Sequence, residues 1–228
     1  MKNMYEDGYT PPILTVDGVI FQMVDDEFCV LLVKRAKDPF KGQWALPGGY
    51  IGAGETTTSA LDKVLSKKAG LNTSDLGLVE QLYTFDTVAR DPRGHAVSVT
   101  YMGLGRDIVP KETKTTQFPA FFPVNNLPKL AYDHADIIDY AHQRLNAKLT
   151  YTNAVYALLP KLFTMSHLQS VYEAIFGKQL DKRNFRKKFF SLGLINPTSE
   201  MVRDGAHRPA RLYKFNNDDL EVLARSFD

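Results

Sequence analysis

The N-terminal third of the chain alternates apolar runs with short polar turns. An apolar segment at 13–24 is followed by a polar turn at 25–27 and by a second apolar segment at 28–35. Two apolar runs that are separated by a short polar turn predict a β-hairpin. Because residues 38–54 contain many glycines and prolines, we interpret them as a loop that includes a short strand.

From residue 56 the apolar spacing becomes that of a helix. The positions that share one face are Ala60, Leu61, Val64, Leu65 and Lys68, and this spacing predicts a helix over 56–69. Gly70 suits its C-terminal end, where a left-handed residue is common. The other elements predicted for this half of the chain are strands near 78–85, 95–104 and 117–123 and a helix near 133–147.

The C-terminal part predicts three helices followed by a hairpin. The helices are 152–159, which ends at Pro160, a second that begins at Thr164 or Ser166 and ends at Gly177, and a third that begins at Asp181 and ends at Gly193. Strands at 195–203 and 211–215 flank a turn that contains Asp204-Gly205, a hairpin signal. This order predicts a winged helix-turn-helix with a boundary near Lys148, so the domains are 1–148 and 149–228. The segment 217–226 is expected to pack back on the second domain.

Composition and charge narrow the function classes. The 228 residues are 44% hydrophobic and 24% charged, which is typical of a globular protein without membrane spans. Cys29 is the only cysteine and the start of the chain has no signal-peptide pattern, so we expect a cytoplasmic protein. Charge is uneven: residues 178–214 hold 10 Lys and Arg against 3 Asp and Glu, giving +7, although the whole chain carries only +2. This asymmetry predicts an anion-binding C-terminal segment.

Residues 49–71 resemble the Nudix box, G-x5-E-x7-R-E-U-x-E-E-x-G-U. The positions that match are Gly49, Glu55, Leu65, Gly70 and Leu71. The preceding WALPGGYI resembles the usual entry into the box, and RDPRGHAVSVTY at 90–101 resembles Nudix proteins that act on ADP-ribose. The resemblance covers roughly residues 10–148. It implies an α/β/α sandwich with a mixed sheet, so the expected fold class is α+β, with the winged helix-turn-helix following the sandwich.

The carboxylates that the box needs for catalysis are missing. In the family three glutamates on the helix hold Mg²⁺, a hard cation that takes oxygen ligands; here these positions are Val64, Lys67 and Lys68. Glu55 and Glu80 remain, but two separated carboxylates make a poor metal site. We therefore expect no hydrolysis by the family mechanism, no catalytic residues and no metal. The alternative is a hydrolase of ADP-ribose or related nucleoside diphosphates, with metal ligands from outside the box and an accessory C-terminal domain.

The cleft of the fold can still bind a ligand. Lys67 and Lys68 are candidates for direct contact with a diphosphate, guanidinium groups suit phosphate oxygens, glycines allow close backbone approach, and aromatic rings can stack on a base. The arginine candidates are Arg35, Arg90 and Arg93, the glycine candidates are Gly48 and Gly49, and the aromatic candidates are Tyr83 and Phe85. The alternatives are a solvated helix face for Lys63 and Lys67, surface ion pairs for the arginines and core packing for the aromatic side chains, whereas Lys68 shares the apolar side of the helix.

The third C-terminal helix is strongly basic. In a helix-turn-helix the second helix of the motif enters the major groove, where Arg183 and Asn184 suit guanine and adenine. The further candidates for DNA contacts are Lys182, Arg186, Lys187 and Lys188 on this helix and Arg203, His207, Arg208 and Arg211 in the wing. A solvated basic helix, or a module that binds RNA or protein, is the alternative.

A degenerate Nudix domain followed by a winged helix with FRKK and RPARLY segments is similar to the Nudix-related transcriptional regulators. The resemblance extends over nearly the whole chain. It implies a repressor of NAD metabolism or sugar catabolism that acts as a homodimer on a palindromic double-stranded DNA operator. It also implies that an effector, ADP-ribose or a related nucleotide or phosphosugar, weakens DNA binding without any required cofactor.

Overall fold

The computed structural model describes residues 10–114, 118–203 and 209–223. Short 3₁₀ turns at Thr73–Asp75 and Ala154–Leu158 join the longer elements. These are β1 Ile13–Val24, β2 Glu27–Lys34, β3 Trp44–Ala45, β4 Gly48–Tyr50, α1 Thr57–Ala69, β5 Leu78–Phe85, β6 Ala96–Leu104, β7 Ala120–Pro123, α2 His134–Tyr151, α3 Met165–Phe176, α4 Lys182–Ser191, β8 Ile195–Val202 and β9 Ala210–Phe215. The predicted elements are found with three differences: the 133–147 helix continues to Tyr151, the 152–159 helix is a 3₁₀ turn at Ala154–Leu158, and the strand near 117–123 begins at Ala120.

Strand β1 is the centre of a mixed sheet in the order β3-β2-β1-β6-β5. It pairs antiparallel with β2, where Phe21 faces Val30, and parallel with β6, where Val19 faces Met102. Strand β4 pairs with the first half of β1, and β7 pairs with β2. The mixed sheet predicted from the Nudix resemblance is confirmed.

One helix packs on each face of the sheet because side chains alternate along the strands. Val16 and Ile20 of β1 pack with the α1 side chains, while Val19 and Phe21 pack with the α2 side chains. Helix α1 begins where the Thr56 side chain accepts a hydrogen bond from the Ser59 backbone N–H. Gly70 ends it in the left-handed conformation, φ +64°, as predicted.

The C-terminal domain is a winged helix. Thr164, rather than Ser166, caps α3, and Asp181 caps α4 through the Asn184 backbone N–H. Strands β8 and β9 pair antiparallel, and Phe163 adds a bridge to Tyr213 of β9. The turn that contains Asp204-Gly205 lies outside the described residues. Residues 217–223 pack back as predicted, with Val222 bridging to Thr152.

One continuous hydrophobic core joins the sheet to the winged helix. It includes side chains from β1 and β2, from α2, and from both helices of the helix-turn-helix, such as Phe28, Leu145, Leu168 and Phe189. Helix α2 runs through the predicted boundary at Lys148, so the division into 1–148 and 149–228 stays a prediction. No helix in the described ranges is long and apolar enough to cross a membrane.

Candidate ligand cavity and nucleic-acid interface

A cavity of about 620 Å³ opens at one end of the sheet. Its walls come from β1, from β4, from the loop after β2, from the end of α1 and from the segments before β6 and α2. The lining residues that carry charge are Lys34, Arg35, Lys37, Lys68, Arg90, Arg93 and Lys114 against Asp17, Asp38 and Asp91. Basic side chains outnumber acidic ones seven to three among the described lining residues, so the cavity favours an anionic ligand.

Lys68 brings an ammonium group into the cavity from the last turn of α1. Burial, together with the neighbouring charges of Arg35 and Lys37, lowers the pKa of the Lys68 ammonium group. A lowered pKa means that the charged form is poorly compensated in this protein. A bound phosphate would supply the missing negative charge.

Arg90 is buried at the back of the cavity and its charge is already paired. Its Nε and Nη2 atoms donate to Asp133 at 2.8 and 2.7 Å, and its side chain is only 6% exposed. Because Asp133 immediately precedes α2, this bidentate ion pair links the cavity to the start of that helix.

Two further guanidinium groups lie against the ring of Tyr132. Arg35 Cζ is 4.7 Å and Arg93 Cζ is 5.9 Å from the centre of the ring. Arg93 also donates to both oxygens of Asp91 and to the Tyr50 hydroxyl at 2.6 Å, so the ion pair expected as an alternative is present. Burial raises the pKa of the Tyr132 hydroxyl, whose oxygen is buried without a hydrogen-bond partner among the described residues.

Asp17 and His134 form a buried polar group that the sequence reasoning missed. Burial lowers the pKa of His134, so the ring is neutral at neutral pH. Its Nδ1 accepts from the Leu46 backbone N–H at 2.8 Å, so Nε2 carries the proton and lies 3.8 Å from Asp17 Oδ1. A signal for Asp17 existed, because it is the single charged residue within the apolar run at 13–24.

The residues present do not fit the Mg²⁺ ion that Nudix enzymes use. Glu55 binds Lys63 and the Gly52 backbone N–H, and the hydrogen bond from Lys63 is the main reason that its pKa is lowered. Glu80 is paired with Lys148 at 2.7 Å. Neither glutamate lines the cavity, and the positively charged Lys68 does. The donor set therefore suits an anion rather than a divalent cation.

The cavity brings together six of the nine predicted ligand-binding residues. They are Arg35, Gly48, Gly49, Lys68, Arg90 and Arg93. Lys67 is exposed on α1 and does not line the cavity. Tyr83 and Phe85 also lie outside it, because their rings pack against Tyr140 of α2 at 5.2 and 5.7 Å. The glycines permit close packing: a Cβ on Gly48 would lie 1.8 Å from Asp17 Oδ1.

The basic helix α4 presents polar side chains to solvent and apolar ones to α3. Phe185 and Phe189 are buried against Tyr172. The predicted DNA-contacting side chains that are fully exposed on this helix are Lys182, Arg183, Asn184 and Lys187, and Arg186 and Lys188 are half-buried.

A groove separates α4 from the wing. Its basic lining residues are His167, Lys182, Arg186, Arg203 and Arg211. The Arg186 Nε atom is buried and has no hydrogen-bond partner in the described part of the chain. The groove therefore places basic groups of the helix and the wing on one surface. The predicted contacts of His207 and Arg208 lie outside the described residues.

Comparisons with known proteins agree with this architecture. Residues 12–141 match the model of the NUDIX domain, and residues 155–215 match that of the NrtR DNA-binding winged helix domain. The ADPR responsive transcriptional repressor NtrR of Acinetobacter baylyi is 33% identical over 95% of this chain and 87% of its own length. The ADP-ribose pyrophosphatase of Methanocaldococcus jannaschii is 38% identical, over 58% of this chain and 75% of its own.

Solved structures extend the likeness to both domains together. Shewanella oneidensis NrtR in complex with a 27mer DNA has a TM-score of 0.78 and 30% identity, covering 94% of this chain and 99% of that one. The NUDIX domain of the same protein in complex with ADP ribose has a TM-score of 0.56 and 32% identity, covering 63% and 94%.

A NUDIX domain with a cavity lined mainly by basic side chains, joined to a DNA-binding winged helix, defines a class of transcriptional regulators. This chain belongs to the NrtR family of that class. The family and the fold class predicted from the sequence are confirmed.

Proposed function

We propose that this protein is a cytoplasmic repressor that leaves its operator when ADP-ribose, or a related nucleotide or phosphosugar, occupies the NUDIX cavity. The observation that carries the proposal is the cationic cavity, in which Lys68 stands where the family's enzymes have a glutamate. The names of two relatives support the choice of effector. One is an ADPR responsive repressor, and the other has a NUDIX domain crystallised with ADP ribose.

In this proposal the phosphates bind Arg35, Lys68 and Arg93. Each of these side chains lines the cavity, and the two guanidinium groups are already oriented by Tyr132. Gly48 and Gly49 allow a ligand to approach the backbone of β4. Preorganised charges lose little conformational freedom on binding, which favours a tight complex without a metal ion.

DNA binding is assigned to α4 and the wing. Arg183 and Asn184 lie near the N-terminus of α4 and are exposed, as base-reading side chains of a recognition helix must be. Arg186, Lys187 and Lys188 follow them and suit phosphates, and Arg203 and Arg211 extend this surface to the wing. A homodimer of this chain would present two such surfaces to a palindromic operator.

Helix α2 is the proposed link between the two sites. An effector phosphate near Arg90 competes with Asp133, the residue that precedes α2. Farther along α2, His142 Nε2 lies 2.6 Å from the Ile175 carbonyl oxygen of α3. A shift of α2 therefore reaches the first helix of the helix-turn-helix. The effector changes DNA affinity only if it binds the two arrangements differently.

The test measures fluorescence anisotropy of a duplex taken from upstream of the protein's own gene, with a scrambled duplex of equal length beside it. We expect a Kd below about 1 μM for the first and binding at least about 10³-fold weaker for the second. Saturating ADP-ribose should weaken operator binding by about 10-fold or more. Equal, weak binding of both duplexes would rule out the proposal.

A double substitution on α4 tests whether DNA binding and ADP-ribose binding use separate sites. Arg183→Ala combined with Arg186→Ala should lower operator affinity by at least about 100-fold, because one base contact and one phosphate contact are lost. The ADP-ribose affinity of this variant should stay within about two-fold of the wild type, since additivity holds for distant sites. Arg144→Ala, which removes an exposed arginine on α2, is the control and should bind the operator normally. Loss of ADP-ribose binding in the double variant would contradict the assignment of separate domains.

Diphosphate hydrolysis is the second candidate function, because the NUDIX part is 38% identical to an ADP-ribose pyrophosphatase. Incubation with ADP-ribose and Mg²⁺ or Mn²⁺, followed by measurement of AMP, tests it directly. We expect no turnover. Turnover that disappears in Glu55→Gln would replace the repressor proposal with an enzyme.

A further inference from the structure

Asp17 is a buried carboxylate in a cavity whose charged side chains are mostly basic. It lies on β1 opposite Gly48 of β4, is 6% exposed and lines the cavity. A negative charge in this place opposes the phosphates that the surrounding basic side chains attract. Its presence therefore requires an explanation other than anion binding.

The hydrogen bonds of Asp17 are incomplete. Its Oδ2 accepts from the Ser98 hydroxyl at 2.5 Å. The hydrogen bond from Ser98 is the one recorded for this carboxylate among the described residues, and the nearby His134 Nε2 lies 3.8 Å from Oδ1, beyond hydrogen-bond distance. Buried carboxylates normally accept several hydrogen bonds, so Oδ1 has capacity for a donor that comes from a ligand. Gly48 permits this placement of the carboxylate, because a Cβ there would lie 1.8 Å from Asp17 Oδ1.

Asp17 forms an ion pair with Arg90, but this pairing accounts for only part of its surroundings. Arg90 Nη2 is 3.8 Å from Asp17 Oδ2, which is too long for a hydrogen bond, and Arg90 is already bidentate to Asp133. Burial keeps His134 neutral by lowering its pKa. Asp17 is therefore not the main partner of either neighbour.

We infer that Asp17 accepts a hydrogen bond from a sugar hydroxyl of the effector, and that this contact makes the cavity select nucleotides or phosphosugars over bare phosphates. A hydroxyl is a donor that a carboxylate binds well, whereas the diphosphate bridge of a nucleotide such as ADP-ribose is fully ionised at neutral pH and offers no proton. The basic side chains would bind the phosphates, while Asp17 would accept the hydrogen bond from the sugar hydroxyl. This inference rests on the proposed effector function and specifies its chemistry.

The test compares Asp17→Asn with the wild type by isothermal titration calorimetry in buffer with a chelator. Inorganic pyrophosphate is the probe without hydroxyls, and ADP-ribose is the probe with them. We expect ADP-ribose to bind about 10-fold to 100-fold more weakly to the variant, because a charge-assisted hydrogen bond is lost. Pyrophosphate should bind equally well or a few-fold more tightly, because a repelling charge is removed.

Because Asp17→Asn should change the affinities for the two probes in opposite directions, the experiment distinguishes ligand recognition by Asp17 from a purely structural role. If Asp17 only maintained the fold, Asp17→Asn would weaken both probes together, and that result would overturn the inference. The matched control is Asp38→Asn, which removes the same charge from an exposed position of the cavity lining. Asp38→Asn should leave both probes unchanged or slightly tighter; a selective loss of ADP-ribose binding there would also count against the role of Asp17.

A second comparison needs only the wild-type protein and covers the case in which Asp17→Asn does not fold. Ribose 5-phosphate should bind at least about 10-fold more tightly than tetrahydrofurfuryl phosphate, which has the same ring and phosphate but none of the ring hydroxyls. Equal affinity would overturn the inference while leaving the proposed function intact. If the wild type binds neither ADP-ribose nor ribose 5-phosphate, the proposed function itself is wrong.

Discussion

The cavity and the surface of α4 use the same kinds of side chain in opposite ways. Arg90 and Arg93 in the cavity are held by carboxylates and by aromatic rings, whereas Lys182 and Arg183 on α4 are exposed to solvent. Oriented and partly desolvated charges favour one small ligand of a fixed shape. Exposed, adjustable charges suit a long polyanion, where the release of counterions provides much of the affinity.

The same difference governs what a substitution does. In the cavity, Arg90 and Arg93 are also part of the fold through their ion pairs with Asp133 and Asp91, so their removal is expected to change stability and ligand binding together. On α4, Lys182 and Arg183 are exposed, so their removal is expected to change DNA binding and leave the fold intact. Substitutions of Asp133, Lys68 and Glu55 test this difference between the cavity and α4.

The largest effect is expected when one partner of the buried ion pair at the cavity is removed. Asp133→Ala leaves Arg90, which is 6% exposed, without its bidentate partner. We expect the free energy of unfolding to fall by about 3 kcal/mol, because an uncompensated buried charge is strongly destabilising. Urea denaturation followed by circular dichroism measures this change.

Arg183→Ala is the control for Asp133→Ala and should change the free energy of unfolding by less than about 0.5 kcal/mol, as exposed substitutions usually do. If both variants lose the same stability, the cavity charges are not more deeply integrated in the fold than those of α4.

A smaller effect is expected for Lys68, which was predicted from the sequence to bind the ligand and which lines the cavity. Lys68→Gln should weaken ADP-ribose binding by about 10-fold, because a charge-assisted contact is lost. Its neighbour Lys67 is exposed and does not line the cavity, so Lys67→Gln should change the affinity by less than about two-fold. Calorimetric titration of both variants provides the comparison. An equal loss in both would mean that the helix contributes only general positive charge.

How much of each site could be predicted from the sequence depends on whether its residues are close together in the chain. Helix α4 is contiguous, so its cap at Asp181, its inward-facing Phe185 and its exposed Arg183 all follow from spacing within ten residues. The cavity is assembled from distant segments. Its glycines and Lys68 were found because the Nudix spacing fixes their positions, and Arg35 because guanidinium groups suit phosphate.

Two features of the cavity region could not be predicted from spacing in the sequence. Strand β5 has a register shift between Gln81 and Tyr83, and a bulge of this kind disturbs the simple alternation that would tell which face an aromatic side chain occupies. Tyr83 accordingly packs on Tyr140 outside the cavity. Tyr132 and His134 enter the cavity because the segment before α2 folds against β3 and the adjoining Leu46, and no local spacing encodes that contact.

The smallest effect is expected for Glu55, the best preserved acid of the Nudix box. In this protein it is held by Lys63 and the Gly52 backbone and does not line the cavity. Glu55→Gln should therefore leave the affinity for ADP-ribose within about two-fold of the wild type, as is usual for a solvent-accessible ion pair. The titration is done with and without Mg²⁺, which should also have no effect. If Mg²⁺ tightened binding to the wild type and Glu55→Gln abolished that gain, Glu55 would turn toward a metal ion when the ligand binds, and the cavity would use metal-bridged rather than direct contacts with phosphate.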